Sequence, residues 1–178
     1  MDSAPQAPCR LVVYLAREAP IGIVLRRGPS AWARLSVWHT DTDTFEHGQW
    51  FHGRVYERRS DVSADGSLFV YFARKATNPY PRDTWVAISR PPSFTALALW
   101  FVGGTYHTGG CFPDRQSVWP GFGAGPPVQG RLPPWLTHAA APPYIDGTRN
   151  WTERTVYLSR LLGDGWEPVP QAPTETWQ

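Results

Sequence analysis

Short apolar runs separated by turn-forming breaks organise this chain. Arg10 to Ala16 and Pro20 to Arg27 each read as a strand, with Glu18-Ala19-Pro20 as the break between them. After Gly28-Pro29-Ser30, residues Trp32, Arg34, Ser36 and Trp38 alternate with Ala33, Leu35 and Val37. Leu35 and Val37 should therefore face one side of a strand and the tryptophans the other, with both faces covered. The signal is clearest after the turn pair Asp65-Gly66. Leu68-Phe69-Val70-Tyr71-Phe72 is apolar throughout, which suits a strand buried on both faces.

Thr40 to His47 is polar and reads as an interruption. Gln49 to Ser60 then resumes the strand pattern, with Val55 inward, Arg54, Tyr56 and Arg58 on the opposite parity, and Gly53 as a bulge or bend. Thr84 to Ser89 and Phe94 to Val102 continue the series, and glycine pairs at 103–104 and 109–110 bracket a return through Cys111 and Phe112. The proline- and glycine-rich residues 119–144 predict a long ordered loop packed by Trp119, Phe122, Trp135 and Tyr144. Asp146 to Leu162 fits either a short helix or a strand. The alternation from Thr155 to Leu161 favours a last strand, ending at Gly163-Asp164-Gly165. The expected strands are thus near 21–27, 32–39, 54–60, 67–73, 85–89 and 95–101, with no helix longer than about three turns. The expected core is Val24, Leu35, Val37, Val55, Leu68, Val70, Phe72, Val86, Ile88, Leu97 and Leu99.

Composition narrows the class. A length of 178 residues predicts one β-rich domain over 9–167, flanked by tails at 1–8 and 168–178. With 42% hydrophobic and 18% charged residues the chain should fold, while 19 prolines and 16 glycines predict many turns and short elements. The start is acidic and proline-rich, unlike a secretory signal, and no apolar run approaches the roughly 20 residues of a bilayer span, so no membrane association is expected. Cys9 and Cys111 lack the spacing of a zinc site, and a reduced, cytoplasmic protein fits them best.

Pro20 to Arg27, Ala64 to Ala73 and Pro92 to Phe101 each read as a turn followed by a buried strand. Within them, Asp61-Val-Ser-Ala-Asp-Gly-Ser-Leu-Phe-Val-Tyr71 resembles the turn-and-strand unit of TolB-like and WD40-like β-propeller blades, in which an S-x-D-G turn precedes the strand. The resemblance implies an all-β, propeller-like set of antiparallel sheets, truncated or small because the chain has barely room for four blades of roughly 40 residues, with unequal repeat spacing and no WD dipeptide. A closed antiparallel barrel or a sandwich with a long Pro/Gly-rich loop is the alternative. The wider pattern resembles small bacterial β-rich proteins, a likeness that implies no activity.

Candidate chemistry falls into two groups. His39, Asp41, Asp43, Glu46 and His47, with His52 nearby, are ligand types in a short span, and on an extended chain His39, Asp41 and Asp43 point the same way. This cluster would serve a metal-dependent hydrolase. Thr-Asp-Thr-Asp is also turn chemistry, and a structural turn is the preferred reading. Gly-x-Ser-x-Gly and phosphate-binding glycine loops are missing, so neither nucleophilic catalysis nor a cofactor is expected.

The second group is aromatic and basic. Ten tryptophans and a single lysine, Lys75, among 17 basic residues make arginine and aromatic side chains the compositional mark of the chain. On one strand Arg54 and Arg58 would stand about 13 Å apart with Tyr56 between them. Together with Trp50 and Arg90 they form the expected binding set. The function this supports is a non-enzymatic protein-binding module of adaptor or immunity type, with carbohydrate or nucleic acid stacked on tryptophan as the third reading.

Overall fold

A computed structural model describes residues 9–28, 31–121, 124–142, 154–167 and 169. The expected tail at 1–8, nearly all of that at 168–178, and the loop residues Phe122 and Tyr144 lie outside the described residues.

The chain opens with an antiparallel meander of four strands in chain order, β1 (Arg10–Leu15), β2 (Ile21–Arg27), β3 (Trp32–His39) and β4 (Thr44–His52). Strand alternation divides its faces. Tyr14, Ile23, Leu25, Ala33, Leu35 and Val37 are buried on the inner one, and the register stacks Leu25 against Leu35. β4 begins earlier than the polar run predicts. Phe45 lies directly opposite Trp38 and stacks on it, with ring centroids 5.8 Å apart, so the pairing extends into the polar run. Strand β3 ends at His39, and Asp41 and Asp43 lie in the turn rather than in a continuing row.

At Gly53 the chain crosses to a second sheet. A Cβ there would lie 2.5 Å from the Phe51 ring and 2.6 Å from the Arg74 carbonyl oxygen, so the passage needs glycine. β5 (Arg54–Val55) joins β7 (Phe69–Arg74), β8 (Thr84–Ser89), β9 (Ala96–Phe101) and β12 (Gln129–Gly130) in the order β12-β9-β8-β7-β5, and β6 (Asp61–Val62) also pairs with β7. The strand expected over 54–60 is therefore broken, with a 3-10 turn at Glu57–Arg59. The turn is held from two directions. Tyr14 donates its hydroxyl hydrogen to the Glu57 carbonyl at 2.6 Å, and the buried Arg59 donates to the Thr105 and His107 carbonyls.

The second sheet is the middle layer, as the run from Leu68 to Phe72 predicts. Phe69, Tyr71, Ala73, Trp85 and Ala87 pack toward the first sheet. Val70, Phe72, Val86, Ile88, Ala98 and Trp100 pack the opposite way, onto Phe112, Val118 and Leu136. Those last residues come from or adjoin a third sheet of β10 (Cys111–Asp114), β11 (Ser117–Trp119) and β13 (Thr137–His138), in which β13 runs parallel to β11. The S-x-D-G segment is the turn into β7. Ser63 Oγ and Ser67 Oγ both donate to Asp65, at 2.6 and 2.9 Å, and Gly66 takes a φ of 77°.

The expectation of an all-β fold built of antiparallel sheets is met. Sheets of four, six and three strands stack through shared cores with the largest in the middle, and none is closed into a barrel. A middle layer apolar on both faces requires a cover on each side, which stacking supplies. The loop expected over 119–144 contributes β12 and β13 as short pairings, and its Trp135 is exposed. The expected last strand is instead a helix, α1 (Thr155–Gly163). Its buried residues, Thr155, Val156 and Ser159, fall on one helical face, so tertiary packing overrides the alternation. Val24, Leu97 and Leu99 are half-buried rather than in the core.

Two predictions follow from these layers. Phe72→Ala should lower stability by about 3–5 kcal/mol, whereas Val24→Ala, half-open to water on the outer face, should lose under about 1.5 kcal/mol; urea midpoints measure both. Asp61 is the buried anchor of the third layer, its Oδ2 accepting the Phe112 amide at 3.0 Å. Burial raises its carboxyl above the ordinary aspartate value, with the Phe112 amide and the Arg160 and Arg17 charges opposing only in part. The folded state then holds this proton more tightly than the unfolded chain, so stability falls as pH rises from about 4 through the raised value. Asp61→Asn keeps the acceptor and should flatten that fall in thermal melts from about pH 4 to 8. A profile parallel to that of the unsubstituted protein would exclude the raised carboxyl.

Candidate interaction surface

The outer face of the first sheet carries the side chains that alternate with the core set: Leu11, Val13 and Leu15 from β1, Val24 and Arg26 from β2, Trp32, Arg34, Ser36 and Trp38 from β3, and Phe45, His47, Trp50 and His52 from β4. No layer covers it among the described residues. Trp50 is 44% exposed, Trp32 45% and Leu11 65%. The expectation that both faces of β3 are covered is corrected here, because the third sheet packs on the middle sheet and not on this one.

The face is ordered by ring contacts. Arg26 and Arg34 stand directly opposite each other in the β2–β3 ladder, and their guanidiniums lie 5.4 and 5.3 Å from the Trp50 ring centroid. Like charges directly opposed across strands normally cost stability, and here both cations lie over the ring of one indole, whose quadrupole attracts them. Trp32 meets Trp50 edge-on at 6.4 Å and lies against His52 at 4.7 Å. At the other end Trp38, Phe45 and His47 form a stacked row, and Ser36 Oγ lies 3.2 Å from His47 Nδ1.

The expected binding residues divide among three places. Trp50 belongs to this face. Arg54, Tyr56 and Arg58 gather on the neighbouring edge, where they line one recess with Tyr106, although not along a strand as the spacing suggested. Arg54 stacks on the Tyr56 ring at 4.8 Å, and Arg58 lies over Tyr157 of α1 at 5.3 Å. Arg90 stands apart. It follows Ser89, which pairs with Phe69 at the opposite end of β7 from the Arg54–Arg74 rung, roughly 17 Å of strand away. Trp32 links the first two places, since its ring touches Trp50 and also lines the cleft that contains Arg54.

The five ligand-type residues are spread apart. His39 has the inward parity of Leu35 and Val37, whereas His47 is opposite Ser36 on the outer face, so the sheet separates the two imidazoles. Asp43 Oδ1 accepts the Trp38 indole hydrogen at 2.9 Å, and Asp41 and Glu46 are exposed. Among the described residues no group of three or more His, Cys, Asp or Glu side chains is placed to hold a metal ion. Both cysteines are free; burial, helped by the Asp61 charge and opposed by that of Arg17, pushes the Cys111 thiol up, which keeps it protonated.

No family model, curated protein or solved structure matches this chain. Among the described residues no helix is long and apolar enough to cross a membrane. Sequence reasoning missed Arg26, Arg34, Trp32, Trp38 and Phe45 as members of one surface. The 32/34/36/38 alternation was the available signal for three of them, but alternation does not say which face of a sheet stays uncovered.

Asp43 tests the turn that supports this face. Its φ of 50° suits Asp or Asn and disfavours Ala. Asp43→Ala should lower stability by roughly 0.5–2 kcal/mol with or without a chelator, while Asp43→Asn should stay near the unsubstituted protein. Chelator-dependent destabilisation would restore the metal reading.

Proposed function

We propose that the protein is a non-enzymatic binding module that docks a protein partner, as an adaptor or immunity protein does, on the outer face of its first sheet. The observation that carries this is the Trp50 ring with the guanidiniums of Arg26 and Arg34 both within 5.4 Å of its centroid on an uncovered sheet. Tryptophan and arginine are the residues that dominate binding energy at protein interfaces, and lysine, aspartate and glutamate are depleted there. The outward positions of these four strands hold tryptophan, phenylalanine, arginine and histidine and no carboxylate.

The charge pattern selects the partner. Arg26 and Arg34 favour an acidic surface with an apolar or aromatic centre, which Leu11, Val13 and Leu15 extend on the β1 side. A second copy of the chain would set the same cations against each other, so a different, acidic protein fits better. The hydrolase reading draws less support, because His39 and His47 lie on opposite faces of the sheet.

The test begins with affinity capture from the native host using the whole chain, followed by measured affinities for the partner found. Trp50→Ala and Arg34→Glu should each weaken binding by about 30-fold, or about 2 kcal/mol, with the circular dichroism spectrum unchanged, and affinity should fall with added salt. Arg90→Ala should have no effect. Full affinity in the Trp50 and Arg34 variants would remove this surface from the function.

A further inference from the structure

Where the first and middle sheets diverge at the Gly53 crossover, a cleft of about 380 Å³ opens. One wall is aromatic, made by Trp32 at the start of β3 and His52 at the end of β4, with ring centroids 4.7 Å apart. The rest is basic: Arg27, Arg54, Arg74 and Lys75 all line it. The volume lies within the range occupied by small-ligand sites.

The balance of charge in this cleft is unfavourable without a guest. Arg54 and Arg74 are directly opposite each other in the β5–β7 ladder, an arrangement that costs stability between like charges. Arg27 is neutralised by Glu57 at 2.7 Å, and Arg74 only loosely by Asp83 at 3.8 Å. Arg54 and Lys75 have no carboxylate partner among the described residues, and Lys75 is the one lysine of the chain. Arg54 is instead held against the Tyr56 ring at 4.8 Å, which aligns its planar fork beside the opening. An anion between Arg54, Arg74 and Lys75 would turn the repulsion into attraction. A bare anion would leave the Trp32 wall unused, and a neutral sugar would leave the cations unused.

We propose that this cleft binds a nucleotide, with the base against Trp32 and the phosphate among Arg54, Arg74 and Lys75. The guest is either a free mononucleotide or one unit of a single-stranded nucleic acid, since both present a flat ring and a phosphate at the same spacing. The cleft shares Trp32 with the docking face, but nucleotide binding by the purified chain needs no protein partner, so either can fail without the other.

Titrating the whole protein with adenosine monophosphate, a ten-nucleotide single-stranded DNA, ribose 5-phosphate and inorganic phosphate, read by tryptophan fluorescence and calorimetry, tests it. Saturable binding of the mononucleotide or the oligonucleotide, tighter than that of ribose 5-phosphate or phosphate by about tenfold or more, is expected, and which of the two binds names the source. Arg54→Ala with Lys75→Ala should weaken binding by about tenfold or more while the melting curve is retained. Trp32→Phe should keep binding, and Trp32→Ala should erase the advantage of nucleotide over ribose 5-phosphate. Absence of binding to both nucleotide forms overturns the proposal, as does phosphate binding as tightly as nucleotide in the unsubstituted protein, or unchanged affinity in a folded double variant.

Discussion

A strand with an unbroken apolar run has to be covered on both faces, and β7, apolar from Phe69 to Ala73, imposes that condition on the molecule. Its Phe69, Tyr71 and Ala73 require one layer, and its Val70 and Phe72 another. The chain before β7 supplies the first as a four-stranded meander, and the chain after β9 supplies the second as a smaller sheet. With one face of the middle sheet occupied by the meander, β10, β11 and β13 are committed to the other. The far face of the meander is then left to water.

That residual face holds Arg26 and Arg34 with their rings, and the cleft at its edge holds Arg54 and Arg74. Arg26 opposite Arg34, and Arg54 opposite Arg74, are pairs that a sheet selected for stability alone would avoid. In the first pair an indole shared by both cations offsets the repulsion; in the second the guanidinium of Arg54 leans on Tyr56. Aromatic faces thus hold the cations in place without neutralising them, and they stay available to an acidic surface or a phosphate.

Polar ties lock the layers at the few places where they meet edge to edge. The Tyr14 hydroxyl reaches the Glu57 carbonyl, Arg59 reaches the loop at Thr105 and His107, and Asp61 holds the first residues of the third sheet through the Phe112 amide. Each side chain is buried, so each tie acts where water cannot compete. Through them the 3-10 turn at Glu57–Arg59 becomes a fixed point, and Arg54, Tyr56 and Arg58 are set around it.

The elements most legible in the residues were those with a local cause. The strands near 21–27, 32–39, 85–89 and 95–101 follow from apolar patterning, the buried strand after Ser63-Ala64-Asp65-Gly66 from turn chemistry beside an unbroken apolar run, and the bend at Gly53 from the absence of a side chain. Turn closure and strand parity are short-range, so they can be read without knowing the fold. The start of β4, the helix at Thr155–Gly163 and the break after Val55 could not be read this way, since each depends on a partner distant in sequence: Phe45 on Trp38 across the hairpin, Val156 on Cys111 and Trp119, and the Glu57 carbonyl on Tyr14. The same limit holds for the candidate sites. Alternation alone determined that Trp32, Arg34 and Trp38 share a face. Only the stacking of three layers decided that this face is open, that Arg90 lies at the other end of β7 from Arg54, and that Trp32, Arg54, Arg74 and Lys75 border one cleft, because exposure and proximity are properties of how sheets pack and not of any one strand.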